Sequence, residues 1–114
     1  MGIKAPTETD LVAQVLAYLK LHRIFAWRNS VGAVSGEYQG KPRFVRFGLK
    51  GSSDVFAVLP GGRFLVVETK SLRGKLTLEQ QWFLDAVRGA GGLAFCVKSL
   101  AELEQALRWE GIVP

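Results

Sequence analysis

The run Asp54-Val55-Phe56-Ala57-Val58-Leu59-Pro60-Gly61-Gly62-Arg63-Phe64-Leu65-Val66-Val67-Glu68-Thr69-Lys70 sets the architecture of this chain. Two stretches rich in Val, Leu and Phe flank Pro-Gly-Gly, the pattern of a strand, a tight turn and a returning strand. Neither stretch alternates polar with apolar residues, so both strands belong inside a sheet covered on two faces. After the hairpin, Ser71 to Leu76 reads as a loop containing Gly74. Thr77-Leu78-Glu79-Gln80 then opens a helix by the capping-box rule, closing near Gly89 or the Gly91-Gly92 pair. Leu93-Ala94-Phe95-Cys96-Val97 is a further buried strand, and Ser99-Leu100-Ala101-Glu102 caps a last helix running to Trp109. Before the hairpin, Thr7 caps a first helix, with Asp10 three residues on. Leu11, Val12, Val15, Leu16, Leu19 and His22 recur there at helical spacing. Ile24-Phe25-Ala26-Trp27-Arg28 is a short strand. Asn29 to Gly51, rich in Gly and basic residues, reads as a long loop or an irregular hairpin around Gln39-Gly40-Lys41-Pro42. The expected order is α-β-β-β-α-β-α, which makes the fold class α/β.

Composition narrows the function classes. The chain has 114 residues, 48% hydrophobic and 22% charged, and is expected to form a single stand-alone domain over residues 1–114. One cysteine, Cys96, excludes an internal disulfide and multi-cysteine zinc sites, and one histidine, His22, excludes His-rich metal clusters. No run of about 18 apolar residues is present to span a membrane. Met1-Gly2-Ile3-Lys4-Ala5-Pro6 lacks the apolar stretch of a secretory signal. An intracellular protein is therefore expected, in the cytoplasm of a bacterium or of a phage-infected host. Fifteen Lys and Arg against ten Asp and Glu leave a net charge of +5. The excess is concentrated: between Leu11 and Ser53 lie Lys20, Arg23, Arg28, Lys41, Arg43, Arg46 and Lys50, with Glu37 as the only acid. A one-signed surface attracts polyanions, of which nucleic acid is the usual one. Arg28, Lys41, Arg43, Arg46 and Lys50, with Lys75 further on, are the candidate phosphate contacts.

Polar residues inside apolar strands carry the chemistry. Glu68 and Lys70 are two apart in a strand and so face the same side of the sheet. A three-residue Pro60-Gly61-Gly62 loop pairs Leu59 with Arg63, and stepping along the strands brings Asp54 opposite Glu68, about 5 Å away. A two-residue Gly61-Gly62 loop instead sets Asp54 opposite Thr69 and turns Glu68 to the other face. Under the first register, two carboxylates repel unless a cation lies between them. Oxygen ligands suit Mg²⁺ or Mn²⁺. A lysine beside such a pair can hold a phosphate oxygen or an attacking water, which fits phosphodiester hydrolysis. The plainer alternative is a surface ion pair of Glu68 and Lys70, with Asp54 a turn residue.

Asp54 followed by Glu68-Thr69-Lys70 resembles the PD-(D/E)xK nuclease superfamily: an acid, a variable gap, then acid-x-lysine on a hairpin. The longer set Gly51-Ser52-Ser53-Asp54, Val67-Glu68-Thr69-Lys70, Gly74-Lys75-Leu76-Thr77 and Gln80 is similar to the VRR-NUC family, the virus-type replication-repair nucleases. Glu8 followed by Leu11 and Val15, and Phe25-Ala26-Trp27-Arg28-Asn29, resemble that family's opening, so the resemblance covers nearly the whole chain. It implies a restriction-endonuclease-like core, a mixed central sheet flanked by helices. It also implies that Asp54, Glu68 and the backbone carbonyl of Thr69 hold the metal, and that Lys70 orients or deprotonates the attacking water or stabilises the added charge. Glu8 would approach from the first helix, and Gln80 would lie near the metal or the scissile phosphate. On the residues alone, Glu8 is equally an acid at a helix N-terminus and Gln80 equally the capping partner of Thr77.

The activity implied is that of a divalent-metal-dependent DNA endonuclease, structure-selective and similar to Holliday-junction resolvases, acting on branched DNA as a homodimer. A flap, nick or sequence-specific endonuclease is the alternative enzyme, and a non-catalytic DNA-binding module of the same fold is the alternative from another class. Trp82, Phe83, Trp109, Ile112 and Val113 are apolar residues expected to furnish a dimer interface. Cys96, in an apolar strand, is expected to be an inert core thiol.

Overall fold

The computed structural model describes residues 7–114. The segment read for a secretory signal, residues 1–6, lies outside that range. Along the chain come α1 (Glu8–Leu21), β1 (Phe25–Arg28), β2 (Gly32–Tyr38), β3 (Lys41–Phe47), β4 (Val55–Val58), β5 (Phe64–Thr69), α2 (Leu78–Gly89), β6 (Leu93–Val97) and α3 (Leu100–Trp109). All three helices start from the residues expected to cap them: Thr7, Thr77 and Ser99 each accept a hydrogen bond from the backbone N–H three residues on.

The main sheet has the order β1-β4-β5-β6. The β1–β4 and β4–β5 pairs are antiparallel, whereas β6 is parallel to β5 and is reached through α2. The architecture is thus α/β, a mixed sheet flanked by helices. Leu65 and Val67 of β5 join Leu11, Val15 and Leu19 of α1 and Leu103 and Leu107 of α3 in one core layer. Val66, between them in β5, joins Phe83, Leu84 and Val87 of α2 in the layer on the opposite face. Alternate residues of one strand feed two layers, which is why β5 is apolar at successive positions. Burying each of these Leu, Val or Phe side chains contributes roughly 1.5–3 kcal/mol.

The central hairpin adopts the three-residue loop. The Leu59 N–H donates to the Arg63 carbonyl at 2.9 Å, and pairing runs from Val58 with Phe64 to Val55 with Val67. Asp54 sits one residue before β4 and Glu68 one residue beyond the last pair, so both project from the same level and face.

Two corrections follow from the segment 29–51. It is neither a loop nor irregular but a regular hairpin, β2 paired with β3 over seven residues each. The order is therefore α-β-β-β-β-β-α-β-α, two strands more than expected. Gln39 and Gly40 turn the chain with φ of 52° and 75°, the two-residue geometry whose twist matches the strands it joins. Pro42 is tolerated because a two-stranded ribbon leaves outward N–H positions unpaired. The turn falls at Gln39-Gly40, within the hairpin alternative, but almost every residue of its strands is exposed, so no buried face imposes an alternation of polar and apolar residues that would mark them.

Phe83 and Val113, expected at an interface, are buried in the chain's own core, and Ile112 packs against that core. Trp82 and Trp109 do stand in solvent, 58% and 89% exposed. No helix among the described residues is long and apolar enough to cross a membrane.

Candidate active site

Asp54 continues the β4–β5 ladder with its side chain. Its Oδ2 accepts from the Thr69 N–H at 2.8 Å and from the Thr69 hydroxyl at 2.9 Å. Oδ1 accepts no hydrogen bond from the described residues, so one oxygen is anchored and the other is free to take a ligand. Next along the chain, the Lys70 N–H turns the other way and donates to the Val97 carbonyl of β6 at 2.9 Å. The backbone carrying Glu68, Thr69 and Lys70 is thus pinned on both sides.

Glu68 lies on the α2 face and is only 3% exposed. Its Oε1 accepts from the Gln80 side-chain amide at 3.2 Å. Its Oε2 is buried without a partner among the described residues. Burial, followed by the charge and hydrogen bonding of Asp54, pushes the Glu68 carboxyl up to about 8, against the opposing pull of the Lys70 cation. The Glu8 carboxylate adds a smaller push in the same direction. Such a carboxylate needs a proton or a cation to rest at neutral pH.

Gln80 caps α2 and touches Glu68 at once. Its Oε1 accepts from the Thr77 N–H at 3.0 Å, completing the capping box, while its Nε2 reaches Glu68. The cap therefore orients the amide that touches the acid. Glu8 likewise lies in the first turn of α1 and also accepts from the Ser71 N–H at 3.2 Å, tying that helix to the chain just past Lys70.

A cleft of about 600 Å³ opens over these groups. Asp54, Glu68 and Gln80 line it on one side, Arg28 and Asn29 from the end of β1 on another, and Phe47 from the end of β3 on a third. Of the candidate phosphate contacts, only Arg28 lines the cleft. Lys50 is paired with Glu79 at 3.4 Å. Lys41, Arg43 and Arg46 extend along β3, and Lys75 is exposed in the loop before α2.

Two residues matter here that sequence reasoning did not single out for a role. Asn29 donates from its side chain to the Ser52 hydroxyl at 2.7 Å and the Ser53 carbonyl at 3.0 Å, and its N–H donates to the Asp54 carbonyl at 2.8 Å. It staples β1 to the turn that presents Asp54. The only trace in the sequence is a polar amide directly after a strand. Ser53 is fully buried, with its hydroxyl unpartnered beside the site. Gly51 completes the turn at φ 87°, packed so closely that a Cβ would stand 2.5 Å from the Glu79 carbonyl. Cys96, next to Glu68 across the β5–β6 pair, is half-buried, and burial pushes its thiol up, away from the reactive thiolate.

The donor set fits a hard divalent cation: two carboxylates, one of them with an orphaned buried oxygen, no imidazole among the cleft residues, and a neighbouring Cys96 thiol that burial keeps protonated. Among the described residues no three His, Cys, Asp or Glu side chains converge. One or two carboxylates supplemented by water and phosphate oxygens is the way Mg²⁺ is commonly held. No family model matches the chain, and neither does any curated protein or solved structure.

Proposed function

We propose that this chain is a Mg²⁺- or Mn²⁺-dependent DNA endonuclease of the VRR-NUC type, with a restriction-endonuclease-like core, that hydrolyses phosphodiester bonds. The observation that carries the reading is Glu68: a buried carboxyl with an unpartnered oxygen, beside Asp54 and Lys70, at the floor of an open cleft. Asp54, Glu68 and the Thr69 carbonyl would hold the ion. Bound there, it supplies neutralisation of phosphate charge and a more acidic water.

The rest is the work of the chain's own side chains. Asp54 keeps one oxygen fixed on Thr69 and offers the other. Gln80 holds Glu68 in orientation from the capped end of α2. Lys70, whose cation acts on Glu68, would steady a phosphate oxygen or the entering water. Glu8 adds negative charge from α1, and Arg28 at the cleft wall neutralises a flanking phosphate. The preferred substrate is branched DNA, a four-way junction cut symmetrically by a homodimer with two such sites.

Lys70→Ala is the decisive variant. Cleavage should fall roughly 100-fold or more, the scale for losing a preorganised charge stabiliser, while DNA binding survives. The assay is a panel of four-way junctions, flaps and linear duplex, with and without Mg²⁺. Binding by the unmodified protein with no cleavage in Mg²⁺ or Mn²⁺ would leave a DNA-binding module in place of the enzyme, and preferential cutting of flaps or linear duplex would replace the junction.

A further inference from the structure

The β2–β3 hairpin stands apart from the core: its strands pair only with each other, and no other element among the described residues packs on them. A lone two-stranded hairpin is marginal in water. This one nevertheless keeps Val34, Tyr38 and Phe44 in solvent, which calls for a partner. The register sorts its side chains onto two unlike faces. Tyr38, Lys41, Arg43, Val45 and Phe47 share one, with two cations and no acid. Glu37, Phe44 and Arg46 share the other, where the charges cancel. On the first face the Arg43 guanidinium lies 5.4 Å over the Tyr38 ring, which holds the cation outward. At its base Phe47 lines the cleft that contains Asp54 and Glu68. Phe47 thus joins the base of the ribbon to the cleft, which Arg28 also lines.

We propose that this face is a ribbon that grips duplex DNA and carries it into the carboxylate cleft. The inference rests on the nuclease reading above and names the part of the substrate that the cleft does not touch. The major groove of B-DNA admits a two-stranded ribbon, whereas that of duplex RNA is too deep and narrow for side chains to read. Lys41 stands six residues of strand beyond Phe47, about 20 Å, or roughly six base-pair steps of the duplex. A second copy of this chain is disfavoured as occupant, because its matching face carries the same sign of charge.

The test is fluorescence anisotropy of a labelled linear duplex with metal-free protein in chelator, across a range of salt, so that binding is read apart from cleavage. Lys41→Ala/Arg43→Ala should flatten the log affinity against log salt slope by about 2 and weaken binding at ~0.1 M salt by roughly 10- to 100-fold. Lys20→Ala/Arg23→Asn removes the same charge where α1 gives way to β1, and should cost about threefold or less if contact and not net charge is what matters. All four side chains lie at the surface or in turns, and a thermal melt verifies folding. Equal losses for the two double variants, or none for the arm variant, overturn the proposal. A change in sedimentation of the arm variant with unaltered DNA affinity overturns it in favour of self-association. A protein that binds through the arm and never cuts sinks the nuclease reading alone, while undiminished binding and cutting by the arm variant sinks the ribbon alone.

Discussion

Burial leaves the ionised Glu68 carboxylate one donor among the described residues, the Gln80 amide, where water would supply several, and the Asp54 carboxylate beside it makes ionisation harder still. Its folded value, about 8, lies above the ordinary 4.5, so the folded chain holds a proton that the unfolded chain has released. The stability this contributes is complete below about 4.5 and is lost as pH rises through about 8. A shift of that size is worth several kcal/mol. In chelator, the melting temperature of the protein should fall across this window, while Glu68→Gln, which keeps a neutral group there, should remove most of the slope. Added Mg²⁺ should restore the unmodified protein above about 8, where it no longer competes with the proton, and leave Glu68→Gln unmoved. Parallel pH slopes for the two proteins would mean that Glu68 does not titrate as its surroundings imply.

At the level of elements, the site is a meeting of four ends: the close of β1, the turn before β4, the end of β5 and the capped start of α2. Asn29 binds the first to the second through two side-chain hydrogen bonds. Asn29→Ala should destabilise by about 1–3 kcal/mol in urea unfolding, at the net worth of roughly 0.5–1.5 kcal/mol per bond. Its Mg²⁺ affinity, read by calorimetry, should fall further than in an equally destabilised variant of α3, because Asp54 loses its footing. Equal affinity in the two would reduce Asn29 to a structural residue. The helices, the hairpin and the parallel strand were legible because caps, Gly-containing turns and apolar runs act over a few residues. Of β2 and β3 only the turn was legible, as one alternative, because a ribbon solvated on both faces carries no such imprint along its strands.

At the scale of the whole molecule, the proposed homodimer needs a surface for its second copy. With Phe83 and Val113 committed to the core, Trp82 on α2 and Trp109 at the end of α3 are the expected interface residues that stand free. Sedimentation velocity should find a dimer that Trp109→Ser or Trp82→Ser shifts toward monomer, with each monomer's stability changed by about 0.5 kcal/mol or less, as for exposed positions. A monomer at every concentration would end the symmetric-cutting proposal and leave single-strand incision in its place.

Residue order alone carried the β4–β5 hairpin, its polar ends and all three helix starts, because each depends on neighbours within one turn or one loop. The loop length, left open by Pro60-Gly61-Gly62, needed the Leu59–Arg63 hydrogen bond to select the register. Which polar groups converge depended on packing across long stretches of chain: Gln80 onto Glu68, Glu8 onto Ser71, Asn29 onto Ser52. The same holds for which apolar side chains find a partner, since Phe83 is covered and its neighbour Trp82 is not. Apolar spacing marks a helix stripe, but only the surface that closes over it determines where the stripe ends.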